Sequence, residues 1–355
     1  MEKMRTAVVG YGGMGGWHAT RLQKSDVAEL AGIYDIDPAR NVAAKNAGIF
    51  AYGSLDSLLR DDSVGLVTVA IPNDAHEDVV VKCLNAGKHV ICEKPVTLTM
   101  ESLERMIAAA EKNRVLLTTH QNRRWDVDYL AMKQIHDSGE LGRVINIESR
   151  IHGSRGIPSD WRGDPARGGG MLYDWGIHLI DQMLMIFGFD NLGSVQCICD
   201  HITNKEVDDG FRLDLFFRDG VRATVEVGTY NFIAMPRFYL RAEKGTVLLR
   251  DWKEEAQVVK CKYWHESEVM PVQTAAGLTK TMAPRDEITT ACYTVPRPVS
   301  DVHDFYRNFI AAIRKEEKPL VTYAQMRKDL QVILLAMESA KSGGQVLSAA
   351  AVSDQ

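Results

Sequence analysis

The segment Gly10-Tyr-Gly12-Gly-Met-Gly15 constrains this chain more than any other. It fits G-x-G-x-x-G, a pattern that gains weight only from its setting. Here an apolar run, Thr6-Ala-Val-Val-Gly10, reads as a strand before the loop, and residues 13–24 read as a helix after it. Gly10 suits the tight turn, Gly12 lets the backbone approach a pyrophosphate, and Gly15 allows close helix–strand packing. The helix N-terminus then offers free N–H groups and its positive dipole end to the phosphates. A second apolar run, Val27 to Asp35, ends in an acid roughly 20 residues beyond Gly15, the spacing of the residue that reads a ribose. Gly10, Gly12, Gly13, Met14, Gly15 and Asp35 are therefore expected to bind a nicotinamide dinucleotide. A carboxylate at position 35 accepts from ribose hydroxyls and repels a 2′-phosphate, which favours NAD over NADP; Arg40 works against that preference.

The first third of the chain continues this alternation. Helical segments follow Pro38 and Ser54, Gly65 to Ile71 is a third apolar run, and residues 74–86 read as a helix closed by Gly87. His89 to Cys92 and Val115 to Thr119 read as strands around a helix at 100–113. Strands apolar on both faces, separated by helices, imply a doubly wound parallel sheet. The pattern changes near residue 124. A helix (126–138), a strand (143–151), a glycine-rich loop and a strong helix (172–187) lead into alternating strands. In one of these Phe211, Leu213, Leu215 and Phe217 share a face, and Asp219-Gly220 signals a hairpin. Residues 237–249, broken at Lys244-Gly245, repeat the hairpin pattern. Residues 265–298 read as a long irregular loop, and helices are expected near 299–316 and 323–341. The expectation is an α/β Rossmann domain over 1–122, then an α+β domain with a large, mostly antiparallel sheet over 123–355. One face of that sheet needs a cover, from helices or from a second subunit, and a homodimer or homotetramer formed through it is expected.

Charge and composition narrow the partners. A formal net charge of -5 argues against nucleic acid, which wants a basic face. No apolar stretch approaches the roughly 18 residues of a membrane span, and the N-terminus lacks an apolar signal core. The six cysteines are scattered, as reduced thiols of a cytoplasmic protein are. Cys197 and Cys199, the one close pair, lack the further ligands a zinc site needs, and no metal is expected.

Several ordered motifs resemble the Gfo/Idh/MocA family of oxidoreductases. They are the glycine loop, Ile71-Pro-Asn-x-x-His76, Ala86-Gly-Lys-His-Val-Ile-Cys-Glu-Lys-Pro95, His120-Gln-Asn-Arg-Arg-Trp125, and Gly168 to Asp181 with its Asp-x-Gly-x-His core. The likeness spans nearly the whole chain and is strongest to scyllo-inositol dehydrogenase-like members, some of which prefer NADP. It implies a two-domain enzyme acting on sugars, glycosides or inositols, with Lys94, Asp174 and His178 as the catalytic set. It also implies that the Lys94–Pro95 bond is cis.

The residues suit that chemistry. Oxidising a secondary alcohol sends hydride to a nicotinamide and needs a base for the hydroxyl proton. His178, with an ordinary pKa of about 6.5, is the candidate base. Asp174, four residues earlier on a helix, would share its face and orient the imidazole, stabilise its charged form or bind a hydroxyl. An isolated histidine on so apolar a helix also reads as a plain core residue. Lys94 follows a strand at the carboxyl edge of the sheet and could polarise the reacting oxygen. Ile71, Pro72, Asn73 and His76 are expected to line the cofactor, Glu93 to touch the nicotinamide ribose, and Lys94 and Gln121 to reach the cofactor. Asn122, Trp161, Arg162, Asp174 and His178 are expected at the substrate. Arg123 and Arg124 fit interdomain ion pairs as well as ligand contacts. Two alternatives stay open: an enzyme that retains its cofactor while cleaving glycosides or exchanging redox state between sugars, and a sugar or NAD sensor without catalysis.

Overall fold

A computed structural model describes residues 2–262 and 269–349. The first unit alternates strand and helix: β1 (Met4–Val9), α1 (Gly13–Gln23), β2 (Ala28–Tyr34), α2 (Pro38–Asn46), α3 (Leu55–Leu59), β3 (Leu66–Val69), α4 (His76–Asn85), β4 (His89–Cys92), α5 (Met100–Asn113) and β5 (Leu117–Thr119). Its five strands pair in parallel in the order β2-β1-β3-β4-β5. This puts the exits of β1 and β3 side by side, where open α/β sheets bind ligands. The glycine loop is fixed by contact. Gly10 has φ +91, and a Cβ on it would fall 2.2 Å from the Ala70 carbonyl oxygen. A Cβ on Gly15 would fall 1.9 Å from the Gly10 oxygen, so α1 could not pack this close with any other residue there.

The second unit comprises α6 (Val127–Asp137), β6 (Val144–His152), α7 (Ile177–Phe187), β7 (Leu192–Asp200), β8 (Gly210–Phe217), β9 (Arg222–Gly228), β10 (Phe238–Ala242), β11 (Gly245–Leu249), β12 (Ala256–Cys261), β13 (Val272–Thr274), β14 (Gly277–Thr279) and β15 (Thr290–Val295), then α8 (Asp304–Ile313), α9 (Tyr323–Lys341) and β16 (Leu347–Ser348). Nine strands form one sheet, β15-β12-β11-β10-β6-β9-β8-β7-β16, antiparallel except at β6–β9. Its inner face, with Phe211, Leu213, Leu215, Val225 and Leu240, packs on apolar residues of α7 and α9. Its outer face carries a polar ladder in which Arg150 meets Glu148 and Glu226, and His152 meets Glu226. Among the described residues no helix is long and apolar enough to cross a membrane.

Three expectations change. The stretch 265–298 is not simply irregular: beyond 263–268, which lie outside the described residues, it holds the hairpin β13–β14 and the edge strand β15. An edge strand buries little, so its sequence lacks a clean apolar alternation. The helix expected at 172–187 opens with a π-helical stretch, Leu172–Gly176, before α7. A division after residue 122 also fails to separate the cores. Phe305, Tyr306, Phe309 and Ile310 of α8, with Met326 and Leu330 of α9, are buried with the strands of the first sheet. The amphipathic α8 finds its apolar partner there, not on the second sheet.

Candidate active site

Lys94 lies two residues beyond the end of β4, and its bond to Pro95 is cis. Its Nζ donates to Asp174 Oδ1 and to the Asp174 carbonyl oxygen, both at 2.7 Å. Arg162 Nε donates to the other carboxylate oxygen, Oδ2, at 3.1 Å. Burial alone would raise the Asp174 carboxyl, but Lys94 and then Arg162 hold it below its ordinary value. Arg162 is in turn fixed by Asp160 at 2.8 Å and lies over the Trp161 ring. His178 is buried on α7, with Nδ1 lacking a protein partner. Burial pushes its pKa well below the usual value, and the cations Lys94 and Arg123 push the same way. The ring is therefore neutral at neutral pH, the state a proton acceptor needs. No hydrogen bond joins Asp174 to His178. The π turn and the pull of Lys94 and Arg162 direct the carboxylate elsewhere, so Asp174 orients the lysine and not the imidazole.

A cavity of about 590 Å³ opens beside this cluster, a size suited to a bound cofactor. Gly10, Asp35, Ile71, Pro72 and Trp161 line it, as does Arg167, which the sequence did not single out. Asp35 Oδ2 accepts from the Tyr11 N–H at 2.6 Å, and Oδ1 from the Asp37 N–H at 2.8 Å. Arg40 leans over the glycine loop, with Nη1 3.8 Å from Asp35 and Nε 3.7 Å from Asp37. Its Nη1 sits 2.5 Å from where a Cβ on Gly12 would be, while Gly13 has open space. Met14 is exposed at the start of α1.

Four expected cofactor contacts point elsewhere. Asn73 is buried and donates to the Gly168 carbonyl oxygen at 3.2 Å. His76 is buried between the carbonyls of Ile71, at 2.9 Å, and Pro95, at 3.0 Å. Gln121 turns into the interior and donates to Asp329 Oδ2 at 3.1 Å. Glu93 also turns inward: its Oε1 meets His18 Nε2 and His120 Nδ1, both at 2.8 Å, while Oε2 accepts from the Lys94 N–H at 3.2 Å. Burial would raise the Glu93 carboxyl, but His120 and His18 hold it well below its usual value. These ligand-type atoms lie within 4.8 Å of one another, a spacing open to a metal, but the 2.8 Å contacts read as N–H donors on a carboxylate. The local reason is common to all four. Each lies just beyond the carboxyl end of a strand, Glu93 directly after β4, Gln121 two residues beyond β5, Asn73 in the short turn after β3 and His76 at the start of α4, and its polar atoms find partners in the interior. His18, three residues after Gly15, is the signal that could have disclosed the Glu93 clamp. Asn122 opens a short turn, Asn122–Trp125, between the two units. Arg123 lies over the Trp175 ring, and Arg124 grips Asp181 of α7 through two contacts, at 2.8 and 2.5 Å. Arg124 is thus an ion-pair anchor, and Asp181 is committed to it.

Residues 4–121 match the oxidoreductase family with an NAD-binding Rossmann fold (GFO_IDH_MocA), and residues 129–248 match the GFO/IDH/MocA C-terminal domain. The chain belongs to the Gfo/Idh/MocA family. Among solved structures, an NAD-binding protein from Listeria innocua is 38% identical, with a TM-score of 0.94 over 98% of this chain and 100% of that one. The scyllo-inositol 2-dehydrogenase (NADP(+)) IolW of Bacillus subtilis (strain 168) is 27% identical over 345 residues, 96% of this chain and 95% of that protein. An uncharacterized oxidoreductase, C115.03, of Schizosaccharomyces pombe (strain 972 / ATCC 24843) is 42% identical over 172 residues, 48% of this chain. That match spans about half of the relative's length, 47%. The Gfo/Idh/MocA assignment joins the glycine loop and the Lys94–Asp174 contact in one architecture.

Proposed function

We propose that this protein is an NAD(P)-dependent dehydrogenase that transfers hydride between a secondary alcohol of a sugar, glycoside or inositol and a nicotinamide cofactor. The observation that carries the reading is the 2.7 Å contact of Lys94 with Asp174 beside a buried, neutral His178. A dinucleotide fits the cleft: the glycine loop presents open backbone at Gly13, and Asp35 lines the cavity wall. Gly10, Gly12, Gly13, Met14, Gly15, Asp35, Ile71 and Pro72 would hold it. When bound, the nicotinamide supplies the hydride acceptor. The Lys94 ammonium, aimed by Asp174, stabilises negative charge on the reacting oxygen. His178 takes the hydroxyl proton, and Trp161 and Arg162 border the substrate. Asn122 stands at the same junction between the units.

The preferred cofactor in this reading is NAD. Support comes from Asp35, whose fixed carboxylate stands where a 2′-phosphate would add like charge. Arg40 offsets part of that repulsion, but two acids already hold it. We further propose a homo-oligomer formed through the polar outer face of the nine-stranded sheet, in a cytoplasmic setting. The test is turnover of a panel of inositols, aldoses and glycosides with NAD and with NADP, read as the near-ultraviolet absorbance of reduced nicotinamide. Reduction of NAD by at least one polyol is expected. No reduction with any panel member, in protein that binds NAD by calorimetry, would overturn the dehydrogenase reading. Turnover of a glycoside without accumulation of reduced cofactor would instead favour a cofactor-retaining enzyme.

A further inference from the structure

The helical segment that carries Asp174 and His178 begins at Met171, directly after three glycines. The first N–H groups of a helix have no partner within it, and glycines offer no side chain to cap them. The cap comes from 36 residues further along the chain: the Leu172 N–H donates to Asp208 Oδ2 at 2.8 Å. The Met171 N–H donates to the Asp208 carbonyl oxygen at 3.0 Å. Asp208 Oδ1 presses on Gly170, where a Cβ would come within 2.1 Å, and Gly170 has φ +102. The Gly170 N–H in turn donates to the Arg162 carbonyl oxygen at 2.9 Å. One aspartate therefore touches the start of the segment and backs the turn that also anchors Arg162.

We infer that Asp208 is a positioning residue, setting the segment that carries Asp174 and His178 in register with Lys94. Its bearing on catalysis rests on the dehydrogenase reading above; the cap itself does not. Asp208 faces a cavity of about 440 Å³ lined also by Tyr173 of the capped segment, Cys199 of β7, His201 and Glu206 of the preceding loop and Lys341 of α9. Asp209 is its chain neighbour, and Cys197 of β7 lies within electrostatic reach. Burial raises the Asp208 carboxyl to about 7, against the pull of the Leu172 N–H and with the push of Asp209.

The sign of the pH response follows from linkage. A capping Asp208 prefers its proton, whereas an Asp208 swung into water would titrate at the ordinary value of about 3.9. Rising pH between these two values favours release of the cap, and above about 7 the effect levels off. The cap is therefore tightest in acid and loosest at and above neutrality.

Amide hydrogen exchange of the unliganded protein, followed by NMR, tests this without turnover, so its failure is separate from any failure of the dehydrogenase reading. Leu213 in β8 serves as the internal reference for global opening. After correction for intrinsic rates, Leu172 protection is expected to fall by up to about tenfold per pH unit as neutrality is approached, then to level off. Asp208→Asn, which keeps an acceptor and cannot ionise, is expected to remove the pH dependence. Asp208→Ala is expected to lose Leu172 protection at every pH while Leu213 stays protected. With a substrate in hand, Asp208→Ala should lower kcat by about tenfold or more with little change in KM, as a misplaced catalytic segment does. Leu172 protection that is flat with pH in the wild type, or that survives Asp208→Ala, would overturn the inference.

Discussion

Lys94 Nζ donates to both the carboxylate and the backbone carbonyl of Asp174, each at 2.7 Å. The two residues belong to different sheets' surroundings, 80 positions apart in the chain. A single ammonium thus ties the edge of the parallel sheet to the helical segment that carries the candidate base.

Replacing Lys94 should separate its roles. Lys94→Ala is expected to lower kcat/KM by roughly a hundredfold to a thousandfold, the scale of removing one oxyanion donor. Lys94→Arg should not restore it, because a planar guanidinium cannot place one compact charge at the same point. Steady-state kinetics with the substrate found in the panel checks both variants. Lys94→Arg retaining more than about a tenth of wild-type kcat/KM would count against a positioned ammonium.

The pH profile should report His178. Its pKa lies well below the ordinary value of about 6.5, so the acid limb of kcat/KM is expected below that pH. The stability consequence has the same direction. The unfolded ring takes up a proton as pH falls below about 6.5, while the folded ring resists it. Its contribution is therefore full above that pH and is lost as pH falls toward the folded value. Denaturant titrations across the acid range, compared with His178→Gln, measure this; identical pH dependence in the two proteins would contradict it.

Arg124 and Asp181 form a buried two-point pair between the junction turn and α7. Arg124→Ala strands the Asp181 charge and is expected to cost about 3–5 kcal/mol of unfolding free energy. Asp329, also buried, carries a carboxyl that burial and the nearby Asp181 push well up. With Arg124 gone the acids repel without relief, so the loss should be largest at high pH. Urea unfolding at two pH values checks magnitude and trend.

Asp35→Ser should shift cofactor choice. Removing the carboxylate deletes the like charge facing a 2′-phosphate and frees Arg40 from one of its two acids. The ratio of kcat/KM for NADP over NAD is expected to rise by about tenfold or more. Adding Arg40→Ala should reverse most of that gain.

Much of this architecture was legible in the chain itself. The glycine loop, Asp35, the alternating runs and the ordered motifs led to the parallel sheet, the second antiparallel sheet and the family. Those signals are local, and each depends on residues close in sequence. What was hidden depends on side-chain direction at strand exits. Nothing in the sequence says that Glu93 and Gln121 turn inward, or that Asp174 turns to Lys94 and not to His178. The cap at Asp208 was equally hidden, because it reaches Leu172 across 36 residues and has no spacing rule. The edge strand β15 escaped because it pairs through its backbone and buries too little to print an apolar rhythm.

Helix α8 sets an order on synthesis. Tyr306 donates or accepts at His18 and Thr68, 2.8 and 3.0 Å away, and Phe305 stands against His120. A nascent chain that has emerged through His120 holds the complete parallel sheet and Trp17, yet the pocket around His18, Glu93 and His120 still lacks Phe305 and Tyr306. The dinucleotide half of the molecule therefore reaches its finished form only after the other half has been made.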